Sequence, residues 1–85
     1  METPEIIAYI NPHCPWSPGV VAVLKKYGLS YDARDITSDA SAHEEMVKKS
    51  RQYASPCVEI NGHMLADVGG DEVETWLREQ GFAPK

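Results

Sequence analysis

Cys14-Pro15-Trp16-Ser17 concentrates the reactive chemistry of this chain, placed just after an apolar run and just before a helical pattern. A cysteine at a helix mouth meets unpaired amide N–H groups and the positive end of the helix dipole, both of which favour an anion. Such a setting can draw a thiol pKa from about 8.5 toward roughly 3.5–7.5. The thiolate is the form that attacks a disulfide sulfur. The pattern therefore predicts Cys14 at the N-cap of the first helix, with Pro15 at the first helical position, where its missing N–H costs nothing. Serine fills position 17, so no disulfide closes within the motif. The chemistry is then restricted to a single thiol, or has been lost. Ser17 either donates its hydroxyl to the thiolate or is an ordinary first-turn residue. His13 either supports the thiolate as an imidazolium or points into solvent.

Cys57, the second cysteine, directly follows Pro56. If Ser55 and Cys57 both look toward the Cys14 helix, Cys57 is a second thiol that resolves or locks Cys14, which needs Cα atoms within about 7 Å. The alternative is a small apolar strand residue. Two cysteines are too few for a disulfide framework, so a reducing, cytoplasmic location is expected. Eighty-five residues, 42% hydrophobic and 25% charged, suit one domain spanning 1–85. The net charge of -5 argues against nucleic acid as a partner. No stretch approaches the roughly 18 apolar residues of a membrane span. The acidic start Met1-Glu2-Thr3-Pro4-Glu5 lacks a secretory pattern. A monomer is expected, and no metal site is assigned.

The elements that must position these residues follow from periodicity and punctuation. Glu5 to Ile10 reads as a buried strand ended by Asn11-Pro12. Val20, Val21, Val23, Leu24 and Tyr27 recur at helical spacing before Gly28. Ser30 to Ile36 is a second strand, parallel to the first because a helix intervenes. A helix capped by Ser41 with Glu44 carries Met46 and Val47 inward and ends near Ser50 or Arg51. Cys57 to Ile60 is a third strand, and Asn61-Gly62 returns the chain as an antiparallel fourth over His63 to Ala66. Gly69-Gly70 opens a last helix, Asp71 to Glu79, with Val73, Trp76 and Leu77 inward and Gly81 as terminator. The order is βαβαββα, an α/β fold.

This order, with the Cys-Pro-aromatic-X motif at Cys14 to Ser17, a proline at Pro56 and Gly69-Gly70-Asp71 before the last helix, resembles a glutaredoxin over essentially the whole chain. The resemblance implies a thioredoxin-like four-stranded mixed sheet flanked by three helices. It also implies a monothiol, glutathione-dependent thiol-disulfide oxidoreductase in which Cys14 takes a glutathionyl group from a glutathionylated or disulfide-containing protein and glutathione removes it. On that likeness Trp16 covers the bound tripeptide, or lies exposed in an interaction surface. Pro56 is cis and presents the backbone of Ser55 to a peptide, or else it is a trans proline opening an edge strand. Gly69 and Gly70 hold the γ-glutamyl carboxylate, and Asp71 receives its ammonium group while serving as N-cap. Asn11 takes the place of a family lysine that pairs with the glycyl carboxylate. It supplies hydrogen bonds without charge, and Lys48, Lys49 and Arg51 either compensate or form a solvated helix end. Pro18-Gly19 departs from the good helix formers usual there. Two other functions remain open: a non-catalytic peptide-binding module, and [2Fe-2S] cluster binding or delivery, which would need a dimer and two glutathione sulfurs.

Overall fold

A computed structural model describes residues 4–52 and 54–84. Met1, Glu2 and Thr3, which enter the reading of the N-terminus, lie outside them. The elements are β1 (Ile6–Ile10), α1 (Ser17–Lys26), β2 (Asp32–Asp35), α2 (Ala40–Ser50), β3 (Cys57–Ile60), β4 (His63–Leu65) and α3 (Gly70–Glu79). One four-stranded sheet runs in the order β2-β1-β3-β4. β1 is parallel to β2, and β3 is antiparallel to both β1 and β4. This is the architecture the sequence predicts.

β1 is apolar throughout rather than alternating because both of its faces are covered. Ile6 and Ala8 enter a core shared with Val58 and Ile60 of β3, Val20, Leu24 and Tyr27 of the first helical segment, and Val73 and Leu77 of α3. Tyr9 turns the other way and joins Met46 of α2 and Cys57. So α1 and α3 lie on one side of the sheet and α2 on the other. Each fully buried Leu or Val contributes about 1.5–3 kcal/mol.

Polar groups tie the helices down. Glu74 of α3 accepts from Lys26 Nζ at 2.7 Å and from Tyr27 Oη at 3.1 Å, joining α3 to the end of α1. On the opposite face, Tyr9 Oη donates to Glu45 Oε2 at 2.9 Å and accepts from Lys49 Nζ at 3.3 Å. Arg34 of β2 pairs with the same Glu45. The Tyr9 bond, then Arg34 and Lys49, hold the Glu45 carboxyl below its ordinary value, and Lys26 does the same for Glu74. A depressed carboxyl stabilises the fold above the unfolded value of about 4.3 and loses that contribution as pH falls through the folded one. Melting temperature should therefore drop between about pH 5 and pH 3. Glu45→Gln, lacking that charge at the outset, should lose less of its own melting temperature over the same window, and an identical slope would exclude Glu45 as a source.

The Asn-Gly signal is borne out: Asn61 (φ 50°) and Gly62 (φ 85°) both take the left-handed conformation of a tight hairpin. Other boundaries move. β2 covers Asp32–Asp35 rather than Ser30 to Ile36, and β4 stops at Leu65 rather than Ala66. α2 is capped by Asp39, not Ser41: the Asp39 carboxylate accepts the N–H groups of Ser41 and Ala42 at 3.0 and 3.2 Å. α1 begins at Ser17, not at Pro15, and α3 is capped by Gly69, which puts Asp71 inside its first turn. Among the described residues no helix is long and apolar enough to cross a membrane.

Candidate active site

The loop that leaves β1 is wound around Asn11. Its carbonyl accepts the Cys14 N–H at 2.9 Å, its own N–H donates to Ser17 Oγ at 3.1 Å, and its Oδ1 accepts the His13 N–H at 2.9 Å. The Ser17 N–H then returns to the Cys14 carbonyl at 3.3 Å. These bonds make residues 11–17 a closed turn rather than the start of a helix. Trp16, in helical dihedrals, becomes the N-cap. Cys14 is thus not the N-cap expected from sequence but sits one tight turn ahead of it. The correction has a physical cause: Asn11 takes bonds from the loop that a helix would otherwise direct along its axis.

Ser17 is 2% exposed, and its hydroxyl oxygen accepts from Asn11. It is the first residue of α1 and the latch of the loop. Pro18 falls at the second helical position, where proline is tolerated. No acidic residue occupies the first turn of α1, while Lys25 and Lys26 occupy its last. The positive end of this dipole is therefore not neutralised by its own helix. Cys14 is partly buried, His13 and Pro15 are exposed, and Trp16 is 64% exposed.

Two other segments reach this loop. Tyr9 pairs with Cys57 across β1 and β3, so Pro56 comes alongside the end of β1, where the Cys14 loop departs. The Ser55-Pro56 bond is cis, Pro56 is fully buried, and its carbonyl accepts the Val68 N–H at 3.0 Å. The second segment is the start of α3. A side-chain carbon added to Gly69 would lie 3.6 Å from the Trp16 ring, which places Gly69 against the motif. The Gly69 N–H is held by Glu72 Oε2 at 2.8 Å. Asp71 is exposed beside it.

Gly70 packs directly against the backbone of Gly19. A carbon added to Gly70 would fall 2.7 Å from the Gly19 carbonyl oxygen and 3.3 Å from Val23 Cγ2. The backbones of α1 and α3 touch here, and the Pro18-Gly19 departure from good helix formers sits at that contact. Gly19 and Glu72 are the residues of this region whose roles sequence reasoning missed. The signal for Glu72 was present, since an acidic residue three positions after a helix cap commonly reaches back to it.

Cys57 does not join the group. Of the two readings of Cys57, the structure sides with the small strand residue, because strand alternation points Val58 into the core under α1 and α3 and Cys57 into the one under α2. It is fully buried, with Sγ donating to the Ala54 carbonyl and accepting from Gln52 Nε2, each at 3.3 Å. Burial pushes this thiol up. Lys49 is likewise committed to Tyr9, Glu45 and Glu59 on the α2 face, and Lys48 pairs with Glu44 on the surface of α2. Neither is placed to replace the cation missing at Asn11.

A family profile described as Glutaredoxin matches residues 6–65. Among curated relatives, a glutaredoxin-like protein of Clostridium pasteurianum, whose gene lies in a rubredoxin operon, is 26% identical over 84% of this chain and 95% of its own. A protein of Rickettsia conorii named "Probable monothiol glutaredoxin 2" is 32% identical over 88% of this chain and 67% of its own. Among solved structures, a variant of a thioredoxin-like protein superposes with a TM-score of 0.76 at 28% identity, covering 85% of this chain and 97% of its own. With the sheet order, the Cys14 loop and these matches together, the chain belongs to the glutaredoxin family, whose chemistry is thiol-disulfide redox exchange.

Proposed function

We propose that this protein is a monothiol, glutathione-dependent oxidoreductase in which Cys14 alone carries the exchange. The observation that supports it best is the disposition of the sulfurs. Position 17 holds a buried hydroxyl already bonded to Asn11, and Cys57 is sealed on the other face of the sheet. Only Cys14 stands at the loop where α1, the Pro56 strand and the start of α3 converge.

The reaction balances as two displacements. The Cys14 thiolate attacks the glutathione sulfur of a glutathionylated protein; the S–S bond breaks, and the protein thiolate leaves and takes up a proton. A second glutathione, as thiolate, attacks the glutathione sulfur on Cys14, releasing glutathione disulfide and regenerating Cys14. No internal thiol competes for the intermediate. Asn11, Ser55, Pro56, Gly69, Gly70 and Asp71 would contact the tripeptide, with Trp16 covering it. Asn11 has its Oδ1 bound to His13, so it would contribute only its side-chain NH2. The reducing milieu this cycle needs agrees with a cytoplasmic setting. A [2Fe-2S] cluster would draw on Cys14 as the accessible thiolate of each chain and would still need a second chain and two glutathione sulfurs.

The test is direct trapping. Reduced protein treated with glutathione disulfide should accumulate one glutathione adduct, mapped by peptide mass spectrometry to Cys14 and removed by added glutathione. An adduct on Cys57, or none, would reject the assignment.

A further inference from the structure

The segment that forms α1 has two apolar faces, and the fold uses only one of them. Val20, Leu24 and Tyr27 are buried in the core shared with α3. Pro18, Val21, Ala22 and Lys25 follow the i, i+3, i+4, i+7 spacing of a second face, and they line a groove with Ile10 and Pro12. Ile10 and Val21 are half-buried, and the other four are exposed. A helix that is apolar on every side is ordinarily enclosed, whereas the outer face of a surface helix is polar. α1 instead opens an apolar row to solvent and closes it with one cation. The groove begins at the Cys14 loop: Pro12 lies within the turn closed by the Cys14 N–H on the Asn11 carbonyl at 2.9 Å. Resting on the exchange chemistry assigned to Cys14, we infer that this groove receives the chain of the substrate, a protein segment with an apolar residue beside the reactive cysteine and an acidic residue beyond it.

The occupant follows from shape and charge. The rings of Pro12 and Pro18 are rigid, so an apolar side chain set between them orders little that was free before. A leucine-sized group there removes apolar surface of both partners from water. Lys25 stands about 10 Å along α1 from Pro18, the span of roughly three extended residues. Its neighbour Lys26 is held by Glu74 at 2.7 Å, while Lys25 has no ion pair among the described residues. A carboxylate on the incoming segment complements that charge. A second copy of this chain fits the groove less well, because it would bring a net charge of -5 against another of the same sign.

The experiment follows single-turnover attack by reduced protein on glutathionylated peptides, in which the Cys14 thiolate takes the glutathionyl sulfur and the peptide leaves as its thiolate. The probe peptide carries leucine on each side of the modified cysteine and glutamate three residues beyond each leucine. Its counterparts replace leucine by serine, or glutamate by lysine. The mixed disulfide of glutathione and 2-mercaptoethanol, which has no chain to dock, is the reference. The leucine peptide should react about fivefold faster than the serine one, and Ala22→Gln should cut that advantage to about twofold or less. Lys25→Glu should move the glutamate-to-lysine rate ratio about fivefold toward lysine at low salt, an effect lost at high salt. Both variants should keep the reference within about 1.5-fold. If every substrate reacts but the peptide ratios ignore both substitutions, or the reference slows as much as the peptides, the groove docks nothing and the exchange chemistry stands. A dimer in solution that Ala22→Gln disrupts would assign the groove to a second copy and overturn the inference. If Cys14 reacts with none of them, the exchange assignment fails and this inference with it.

Discussion

Replacing Cys14 by serine should reduce turnover of the mixed disulfide between glutathione and 2-mercaptoethanol to the uncatalysed background, a loss of about 10³-fold or more, in an assay coupled through glutathione reductase. An alkoxide is not available at neutral pH, and among the described residues no other thiol reaches the site. Cys57 cannot substitute, being fully buried in the cluster under α2. Cys57→Ser should keep activity within about twofold, because a hydroxyl can still donate to Ala54 and accept from Gln52, while losing about 1–2 kcal/mol of stability, typical of a buried polar exchange. Activity surviving in Cys14→Ser would show that some other group carries the reaction. Activity absent from the wild-type protein would leave the fold without the redox cycle assigned to it.

Gly70→Ala should be the most damaging single-carbon addition near the site. Its new methyl would stand 2.7 Å from the Gly19 oxygen and 2.9 Å from the Gly19 carbonyl carbon, contacts made by backbone that no rotamer change can relieve. The helices must part, at a cost of about 1–3 kcal/mol. Because the same crossing sets Gly69 against Trp16, turnover should fall as well. Gly19→Ala is the control. Its methyl would meet only Gly70 N and Cα, at 3.7 and 3.9 Å, which is ordinary contact. Alanine also favours a helix over glycine by up to about 1 kcal/mol. Gly19→Ala should therefore melt at or above wild type and Gly70→Ala several degrees below. Equal melting temperatures for the two would contradict the close crossing of α1 and α3.

The elements whose identity rests on local chemistry were legible in the chain. Asn61-Gly62 demanded positive φ at both positions and so specified a hairpin; the apolar run through Tyr9 specified a strand covered on both faces. What escaped the sequence was decided by partners distant along the chain or by rival local bonds. Ser41 and Asp39 are both good helix caps, and only the carboxylate geometry chose Asp39. Cys14-Pro15 has the composition of a helix entry, yet the bonds of Asn11 closed the loop first and moved the entry to Ser17. The face of Cys57 depends on its register against Tyr9, which no reading of residues 55–57 alone contains. Gly70 has to be glycine because it meets the Gly19 backbone of α1, a partner about fifty residues away that its own neighbours do not reveal.

Ser17 bears on how this protein relates to two-thiol enzymes. Its oxygen fills an enclosed space and satisfies the Asn11 amide at 3.1 Å. Sulfur is bulkier and a poorer acceptor, so a cysteine there would crowd the start of α1 and leave that amide underbonded. Conversion to an internally resolving enzyme is thus not a matter of exchanging one atom: the hydroxyl is part of the scaffold, and a cysteine there would require the turn around Asn11 to re-form.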